Sequence, residues 1–256
     1  MPTLGGVEID RRVVRLYERT DEEARLWRPG RGDLIRLRTW DIFARFLPPQ
    51  GRVLDVGGGP GTHAAHLAAE GYDVTLVDPM PGHVEAARRR ARDGPSFAVC
   101  QGVARDLPAR DGSVDAVLLM GPLYHLVDRV DRLDAMREAR RVLRPNGTLL
   151  AEPGSSGPWP TIEQSIETGL SQDPAATPDG AFWAYFQRPD ELHGELEEAG
   201  FADVRCLAVE GFAWLLGDLE DRMANPEPVL RAVRATEEEP SMLGCSAHVI
   251  GVTRAR

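Results

Sequence analysis

The sequence contains no lysine, and all 30 of its basic residues are arginines. This absence excludes catalysis through a lysine Schiff base and nucleotide binding through a P-loop lysine. The 40 acidic residues exceed the 30 basic ones, for a net charge of −10, which argues against a protein that follows nucleic-acid phosphates with a basic face. We therefore expect no nucleic-acid partner.

Long apolar runs and closely spaced cysteines are absent as well. No apolar stretch approaches the roughly 18 residues of a transmembrane helix, and no signal peptide is recognised. Cys100, Cys206 and Cys245 form no C-x-x-C pair, so we expect free thiols, with Cys100 and Cys206 buried in strands. These features predict a cytoplasmic protein without a membrane partner, and they leave the choice between monomer and homodimer open.

A glycine-rich turn between two short apolar runs is the most informative feature that the sequence does have. The runs 52–56 and 73–77 are predicted to be strands, with a helix between them over 62–70. Asp78 closes the second strand. Three alternating glycines form the turn after the first strand: Gly57, Gly59 and Gly61. Such a unit is typical of a nucleoside site, because glycines admit the ligand to the backbone and the acid accepts hydrogen bonds from ribose hydroxyls.

The spacing of the glycines distinguishes between two cofactors. A dinucleotide site has the pattern Gly-x-Gly-x-x-Gly, and here Thr62 stands where its last small residue would fall. The run Asp-x-Gly-x-Gly-x-Gly that begins at Asp55 resembles motif I of the class I S-adenosylmethionine-dependent methyltransferases, of the small-molecule, actinobacterial type. The resemblance extends over about 52–152. It implies S-adenosylmethionine as the cofactor, and an ordinary strand–helix turn is the alternative.

The resemblance also implies which residues hold the cofactor. Asp55, Gly57 and Gly59 are expected around its methionyl part, and Asp78 on its ribose hydroxyls. The alternative for Asp78 is an acid that simply ends a strand before a proline. Arg38 is a candidate for a bidentate ion pair with the cofactor carboxylate, and a solvated helix face is its alternative. Further contacts are expected from neighbouring loops and strand ends: Pro79, Val103, Ala104 and Met120.

The loop after the third predicted strand departs from the family pattern. Residues 101–108 resemble the adenine-binding loop, which in the family commonly has Gly-Asp-Ala before Leu-Pro, but Val103 replaces the acid. A valine packs against adenine and cannot accept a hydrogen bond from its amine. Asp106 or a backbone carbonyl is therefore the alternative acceptor.

The methyl acceptor is expected at the carboxyl ends of the strands, where ligands lie in open α/β sheets. In a subset of small-molecule methyltransferases a segment similar to 121–126 lies over the cofactor, which makes His125 a candidate base or orienting group. A packing histidine is the alternative. In related enzymes the N-terminal helices form a lid from which Tyr17 would reach the sulfonium, and a buried core aromatic is the alternative. Glu152, at the end of the fifth strand, is a further candidate base.

Strands alternate with helices along most of the chain, which predicts a doubly wound, Rossmann-like α/β fold. Seven strands are predicted, at about 52–56, 73–77, 97–100, 114–120, 148–152, 201–210 and 248–253. The resemblance implies that the last strand is antiparallel. We divide the chain into an N-terminal helical lid, 1–47, and a methyltransferase domain, 48–256. A Gly-, Ser- and Pro-rich stretch at about 153–189 is predicted to be a lid or substrate insertion in that domain.

These observations predict methyl transfer from S-adenosylmethionine to a small-molecule acceptor. Five aromatic residues in the insertion favour an aromatic or amino-acid-derived natural product, and methylation at carbon, oxygen or nitrogen stays open. One alternative, kept open by Val103, is a catalytically inactive S-adenosylmethionine-binding regulator or partner. An NAD(P)-dependent oxidoreductase is disfavoured by the glycine spacing. No metal is predicted, because His63, His66 and Glu70 share a helix face without a fourth ligand nearby.

Overall fold

The computed structural model describes residues 3–4, 7–9, 11–17, 22–154, 185 and 187–256. Most of the insertion predicted at about 153–189 therefore lies outside the described residues. Within them, the helices are α1 (Arg11–Tyr17), α2 (Glu22–Arg25), α3 (Arg31–Phe46), α4 (Thr62–Ala69), α5 (Pro81–Asp93), α6 (Arg129–Val142), α7 (Pro189–Glu198), α8 (Leu219–Met223), α9 (Glu227–Ala235) and α10 (Pro240–Leu243). None of these helices has the length and apolar character needed to cross a bilayer.

The strands form one small and one large sheet. Their bounds are β1 (Thr3–Leu4), β2 (Val7–Glu8), β3 (Arg52–Val56), β4 (Asp73–Asp78), β5 (Ala98–Gln101), β6 (Val114–Leu119), β7 (Leu143–Ala151), β8 (Phe201–Ala208) and β9 (Val249–Ala255). The large sheet has the order β5-β4-β3-β6-β7-β9-β8. Strands β3 to β7 pair in parallel, and β9 runs antiparallel between β7 and β8. The predicted doubly wound fold with an antiparallel last strand is confirmed.

Strand β7 begins at Leu143 rather than at 148. The residues at 145–147 are Pro-Asn-Gly, a sequence typical of a turn. In the structure Leu143 already pairs with Val114 of β6, and the ladder resumes at Thr148 after a shift of register. The turn is thus an irregularity inside the strand, because pairing exists on both sides of it.

Buried side chains alternate between the two faces of the sheet. In β3, Leu54 and Val56 belong to a core cluster shared with α6 and α7, and Val53 belongs to a second cluster shared with α3, α4 and α5. Covering both faces explains why the parallel strands are short, almost continuous apolar runs. The carboxyl edge of the parallel strands is then the natural place for a ligand.

The longest N-terminal helix, α3, packs on α4 through aromatic rings. Trp40 stacks on His66 with a ring-centroid distance of 3.9 Å, and its indole N–H donates to Nδ1 of His63 at 3.2 Å. Burial lowers the pKa of His63 to about 3, so this imidazole is neutral at physiological pH. The two histidines therefore act in helix packing, and the described residues contain no cluster of three or more potential metal ligands.

Candidate functional site

The glycine turn after β3 is closed on one side and open on the other. The Gly57 N–H donates to the Val77 carbonyl at 2.7 Å, and Gly57 has φ +72°. A Cβ at Gly57 would lie 2.8 Å from Cδ of Pro122, so the loop after β6 covers this residue. A Cβ at Gly59 would meet nothing closer than Nδ1 of His83, at 4.0 Å. A ligand can therefore approach the backbone at Gly59.

Asp55 lies beneath this turn and is 1% exposed. Its Oδ2 atom is buried without a hydrogen-bond partner in the described part of the chain. Burial, and then the charge of Asp78, raises the pKa of Asp55 to about 7. A buried polar atom without a partner is rare in native proteins, and a functional role is one explanation for it. The geometry thus allows Asp55 to receive a donor group from a bound ligand.

Asp78 lies at the carboxyl end of β4 and binds the glycine turn directly. Its Oδ2 accepts the Gly59 N–H, and its Oδ1 accepts the Met80 N–H, both at 2.9 Å. Nδ1 of His83 lies 3.2 Å from Oδ1. Asp78 and Gly59 were both predicted as cofactor-binding residues, whereas His83 was not predicted as a site residue. Its position in the first turn of α5, directly after the Asp-Pro-Met-Pro segment, was the available signal.

The predicted adenine loop lies beside Asp78. The Gly102 N–H donates to the Asp78 carbonyl at 3.2 Å, and Val103 and Ala104 are buried. The Val103 carbonyl accepts the Asp106 N–H at 3.2 Å, whereas the Asp106 side chain is exposed. The other two predicted contact residues also lie at this edge, with both side chains half-buried: Pro79 and Met120.

A tyrosine–histidine cluster lies at the same edge of the sheet. The Tyr17 hydroxyl contacts the Tyr124 hydroxyl at 2.7 Å and Nε2 of His125 at 2.8 Å. The Tyr17 ring also packs edge-on against His83, with centroids 4.7 Å apart. The two predicted catalytic residues, Tyr17 and His125, are thus in contact, and Tyr124 joins them without having been predicted as a site residue.

Burial determines the protonation of this cluster. It raises the pKa of Tyr124 to about 12, and with the neighbouring Tyr124 it raises the pKa of Tyr17 well above the ordinary value. Both hydroxyls therefore keep their protons at neutral pH. Both can donate a hydrogen bond to a ligand oxygen, and Tyr17 can also donate to His125, but neither acts as a phenolate.

Arg38 does not lie with the other candidates, and its predicted role at the cofactor carboxylate is not supported. The side chain is completely buried and forms ion pairs with Asp41 and, at 2.5 Å, with Glu237. Its remaining donors bind the carbonyls of Ala208 and Val209. Because internal acceptors bind Nε and both terminal nitrogens, Arg38 holds α3 against the C-terminal region instead.

The family model and the two relatives described next are all methyltransferases. A family model described as a methyltransferase domain matches residues 53–147. The chain is 32% identical over 211 residues to a demethylmenaquinone methyltransferase of Beutenbergia cavernae, covering 75% of this chain and 80% of that protein. It is 30% identical to a ubiquinone biosynthesis O-methyltransferase of Cereibacter sphaeroides, covering 73% of this chain and 76% of that protein.

Solved structures show the same architecture. One is a Thermotoga maritima protein described as a SAM-dependent methyltransferase and possible histamine N-methyltransferase. It superposes with a TM-score of 0.62 at 21% identity, covering 95% of this chain and 99% of that one. At this identity the likeness concerns the fold alone.

Proposed function

This chain belongs to the class I S-adenosylmethionine-dependent methyltransferases, and we propose that it methylates a hydroxylated aromatic small molecule. The observation that carries the proposal is the cluster of Tyr17, Tyr124 and His125 at the carboxyl edge of the sheet. Two protonated hydroxyls and an imidazole are suited to binding a ring hydroxyl and removing its proton. Relatives named for demethylmenaquinone and for ubiquinone biosynthesis support an oxygen-bearing ring.

The cofactor fits the residues predicted for it. We propose that Asp55, Gly57 and Gly59 hold the methionyl part, because Asp55 has a buried oxygen without a partner in the described part of the chain and Gly59 is open to a ligand. Asp78 then holds the ribose. The adenine is assigned to the apolar surface formed by the remaining predicted residues: Pro79, Val103, Ala104 and Met120.

S-adenosylmethionine supplies a methyl group on a positively charged sulfur, which leaves as a neutral thioether. No general acid is needed, so the protein contributes positioning and proton removal. We assign the binding of the acceptor hydroxyl to Tyr17 and Tyr124. As the new bond to the methyl carbon forms, the acceptor proton passes to His125. Methylation of the ring oxygen and of an adjacent ring carbon both fit this chemistry.

The division of the chain follows from the same site. We propose that 1–47 acts as a lid, because α1 carries Tyr17 to the carboxyl edge of the sheet. The insertion at about 153–189 would complete the acceptor site. Its second end returns to the cluster, since the Tyr185 N–H donates to the Tyr124 carbonyl at 2.9 Å. Because the insertion contains five aromatic residues, we expect an aromatic or amino-acid-derived natural product as the acceptor. We also expect the protein to be cytoplasmic.

The proposal is tested by transfer of a radiolabelled methyl group to 4-ethylphenol, catechol and 1,4-naphthoquinol, with 4-ethylanisole as a control that has no ring hydroxyl. For any labelled acceptor, Tyr17→Phe should lower kcat about tenfold or more, because the acceptor loses a hydroxyl that positions it for transfer. Its affinity for S-adenosylhomocysteine should not change. Tyr72→Phe is the matched control, since the Tyr72 hydroxyl binds the Pro48 carbonyl instead.

Two results would contradict the proposal. If Tyr17→Phe keeps the wild-type kcat, Tyr17 is only a packing residue. If S-adenosylhomocysteine binds but no hydroxylated ring is labelled, the proposed acceptor class is wrong. The chain is then better interpreted as a catalytically inactive S-adenosylmethionine-binding protein.

A further inference from the structure

His83 lies between the cofactor residues and the tyrosine–histidine cluster. It belongs to the first turn of α5, shortly after Asp78, and its side chain is 13% exposed. Nδ1 of His83 lies 3.2 Å from Oδ1 of Asp78, and a proton on either atom makes this contact a hydrogen bond. The same imidazole packs edge-on against the Tyr17 ring, with centroids 4.7 Å apart. His83 therefore contacts one residue assigned to the cofactor and one assigned to the acceptor.

These contacts continue in both directions. Oδ2 of Asp78 accepts the Gly59 N–H at 2.9 Å, and the Tyr17 hydroxyl contacts Nε2 of His125 at 2.8 Å. An unbroken series of direct contacts thus joins these residues in the order Gly59, Asp78, His83, Tyr17 and His125. Such a series of packed and hydrogen-bonded side chains can carry energetic coupling between two sites.

A ligand at the glycine turn would touch His83 directly. Among the described residues, the atom nearest to a Cβ placed on Gly59 is Nδ1 of His83, at 4.0 Å. The imidazole therefore bounds the open space over Gly59. A cofactor that fills this space packs against the ring and restricts its movement. Because this contact exists only in the bound state, it supplies the differential interaction that a conformational response needs.

Helix α5 binds α2 as well as α1. Arg90 lies about two helical turns after His83 on the same face of α5, and its guanidinium binds Glu23 of α2 at 2.7 Å. The opposite partner of α5 is the sheet, since Ala87 belongs to the core cluster shared with β4. The Glu23 side chain is 59% exposed, so its ion pair contributes little. The less exposed contact at His83 is therefore the stronger of these two attachments of the N-terminal helices.

We propose that His83 is a positioning residue that holds Tyr17 in place when the cofactor is bound at Gly59 and Asp78. This inference rests on the proposed function, which assigns the ribose to Asp78 and the acceptor hydroxyl to Tyr17. Cofactor binding fixes the imidazole, and the imidazole fixes the Tyr17 ring and with it α1. The acceptor site is then complete only in the cofactor-bound protein, so cofactor and acceptor bind with positive coupling.

The test measures hydrogen–deuterium exchange of α1 with and without saturating S-adenosylhomocysteine. In the wild type the ligand should slow exchange of the α1 amides about fivefold or more, the lower end of typical coupling between two sites. His83→Asn keeps a nitrogen at the position of Nδ1 but loses the ring. It should bind S-adenosylhomocysteine within about twofold of the wild-type affinity and lose the slowing. For any labelled acceptor its kcat should fall about tenfold at unchanged KM for S-adenosylmethionine.

A second variant tests the other contact of His83. His83→Phe keeps a ring beside Tyr17 but has no nitrogen for Asp78, and it should also lose the ligand-dependent slowing. The matched control is His193→Asn on α7, where the histidine side chain is 44% exposed. This control should keep the wild-type slowing and the wild-type kcat.

The outcomes separate this inference from the proposed function. If the wild type binds S-adenosylhomocysteine without a change in α1 exchange, the coupling is wrong. Wild-type slowing in either His83 variant at saturating ligand, or wild-type kcat in His83→Asn, would also overturn it. If one variant fails to fold, the other decides. Absence of S-adenosylhomocysteine binding would overturn the cofactor assignment and this inference together. The exchange experiment uses no acceptor, so an error in the proposed acceptor class does not affect its result.

Discussion

Replacement of Asp55 by asparagine should stabilise the ligand-free protein at alkaline pH and at the same time weaken cofactor binding. Asp55 is buried, and its Oδ2 has no partner among the described residues. Burial and the charge of Asp78 raise its pKa from 3.8 to about 7. The ionised carboxylate therefore destabilises the empty protein, as expected for a group that is held ready for a ligand.

The magnitude follows from this pKa. Between about pH 4 and pH 7 the native state keeps a proton that the unfolded chain releases, so the free energy of unfolding falls as the pH rises. Three pKa units correspond to roughly 4 kcal/mol, all of it lost above the native pKa. The asparagine amide avoids this cost but adds an unsatisfied donor, worth about 1–3 kcal/mol. We expect Asp55→Asn to be more stable than the wild type by about 1–3 kcal/mol at pH 8.

Urea unfolding of both proteins at pH 5.5 and pH 8 measures the effect. The difference in unfolding free energy between variant and wild type should be about 2 kcal/mol larger at pH 8, because about one and a half pKa units separate pH 5.5 from the native pKa. Other titrating groups are common to both proteins and largely cancel in this difference. S-adenosylhomocysteine should raise the Tm of the wild type and have little effect on the variant.

Two results would refute the reasoning. A stability difference that is the same at both pH values would mean that Asp55 does not titrate near neutrality in the native state. If Asp55→Asn binds S-adenosylhomocysteine with wild-type affinity, Asp55 is not part of the cofactor site. The matched control, Asp93→Asn at the exposed end of α5, should bind the ligand normally.

Two further variants test the closed side of the glycine turn and the internal arginine. Gly57→Ala should weaken S-adenosylhomocysteine binding about tenfold or more and destabilise the fold by about 1–3 kcal/mol. The reasons are that the new Cβ would clash with Pro122 and that residue 57 has a positive φ. Wild-type affinity in calorimetry would refute this prediction. Arg38→Met should lower the free energy of unfolding by about 3–5 kcal/mol, because the buried Glu237 then keeps Arg45 alone as an ion-pair partner among the residues that the structure describes. If Arg38→Met instead loses affinity for S-adenosylhomocysteine and keeps its stability, Arg38 is part of the cofactor site as first predicted.

The sequence by itself determined the nucleoside-binding half of the fold. The strand, glycine turn, helix and second strand lie at the predicted positions, and Asp78 ends the second strand as predicted. These features are local, because strand and helix periodicity depends on neighbouring residues. A positive φ, as at Gly57 and Gly59, likewise favours glycine through the backbone of that residue alone. The order of alternating elements then restricted strands β3 to β7 to a parallel, doubly wound topology.

The tertiary structure alone decided which distant side chains meet. Tyr17 contacts His125, 108 residues away, and Arg38 binds Glu237, 199 residues away. An amphipathic pattern shows that a helix face is buried but not what buries it, so Tyr17 had two interpretations and Arg38 received the wrong partner. The contact between His83 and Tyr17 was invisible for the same reason: partners across a fold are fixed by how whole elements pack, and no local pattern records that.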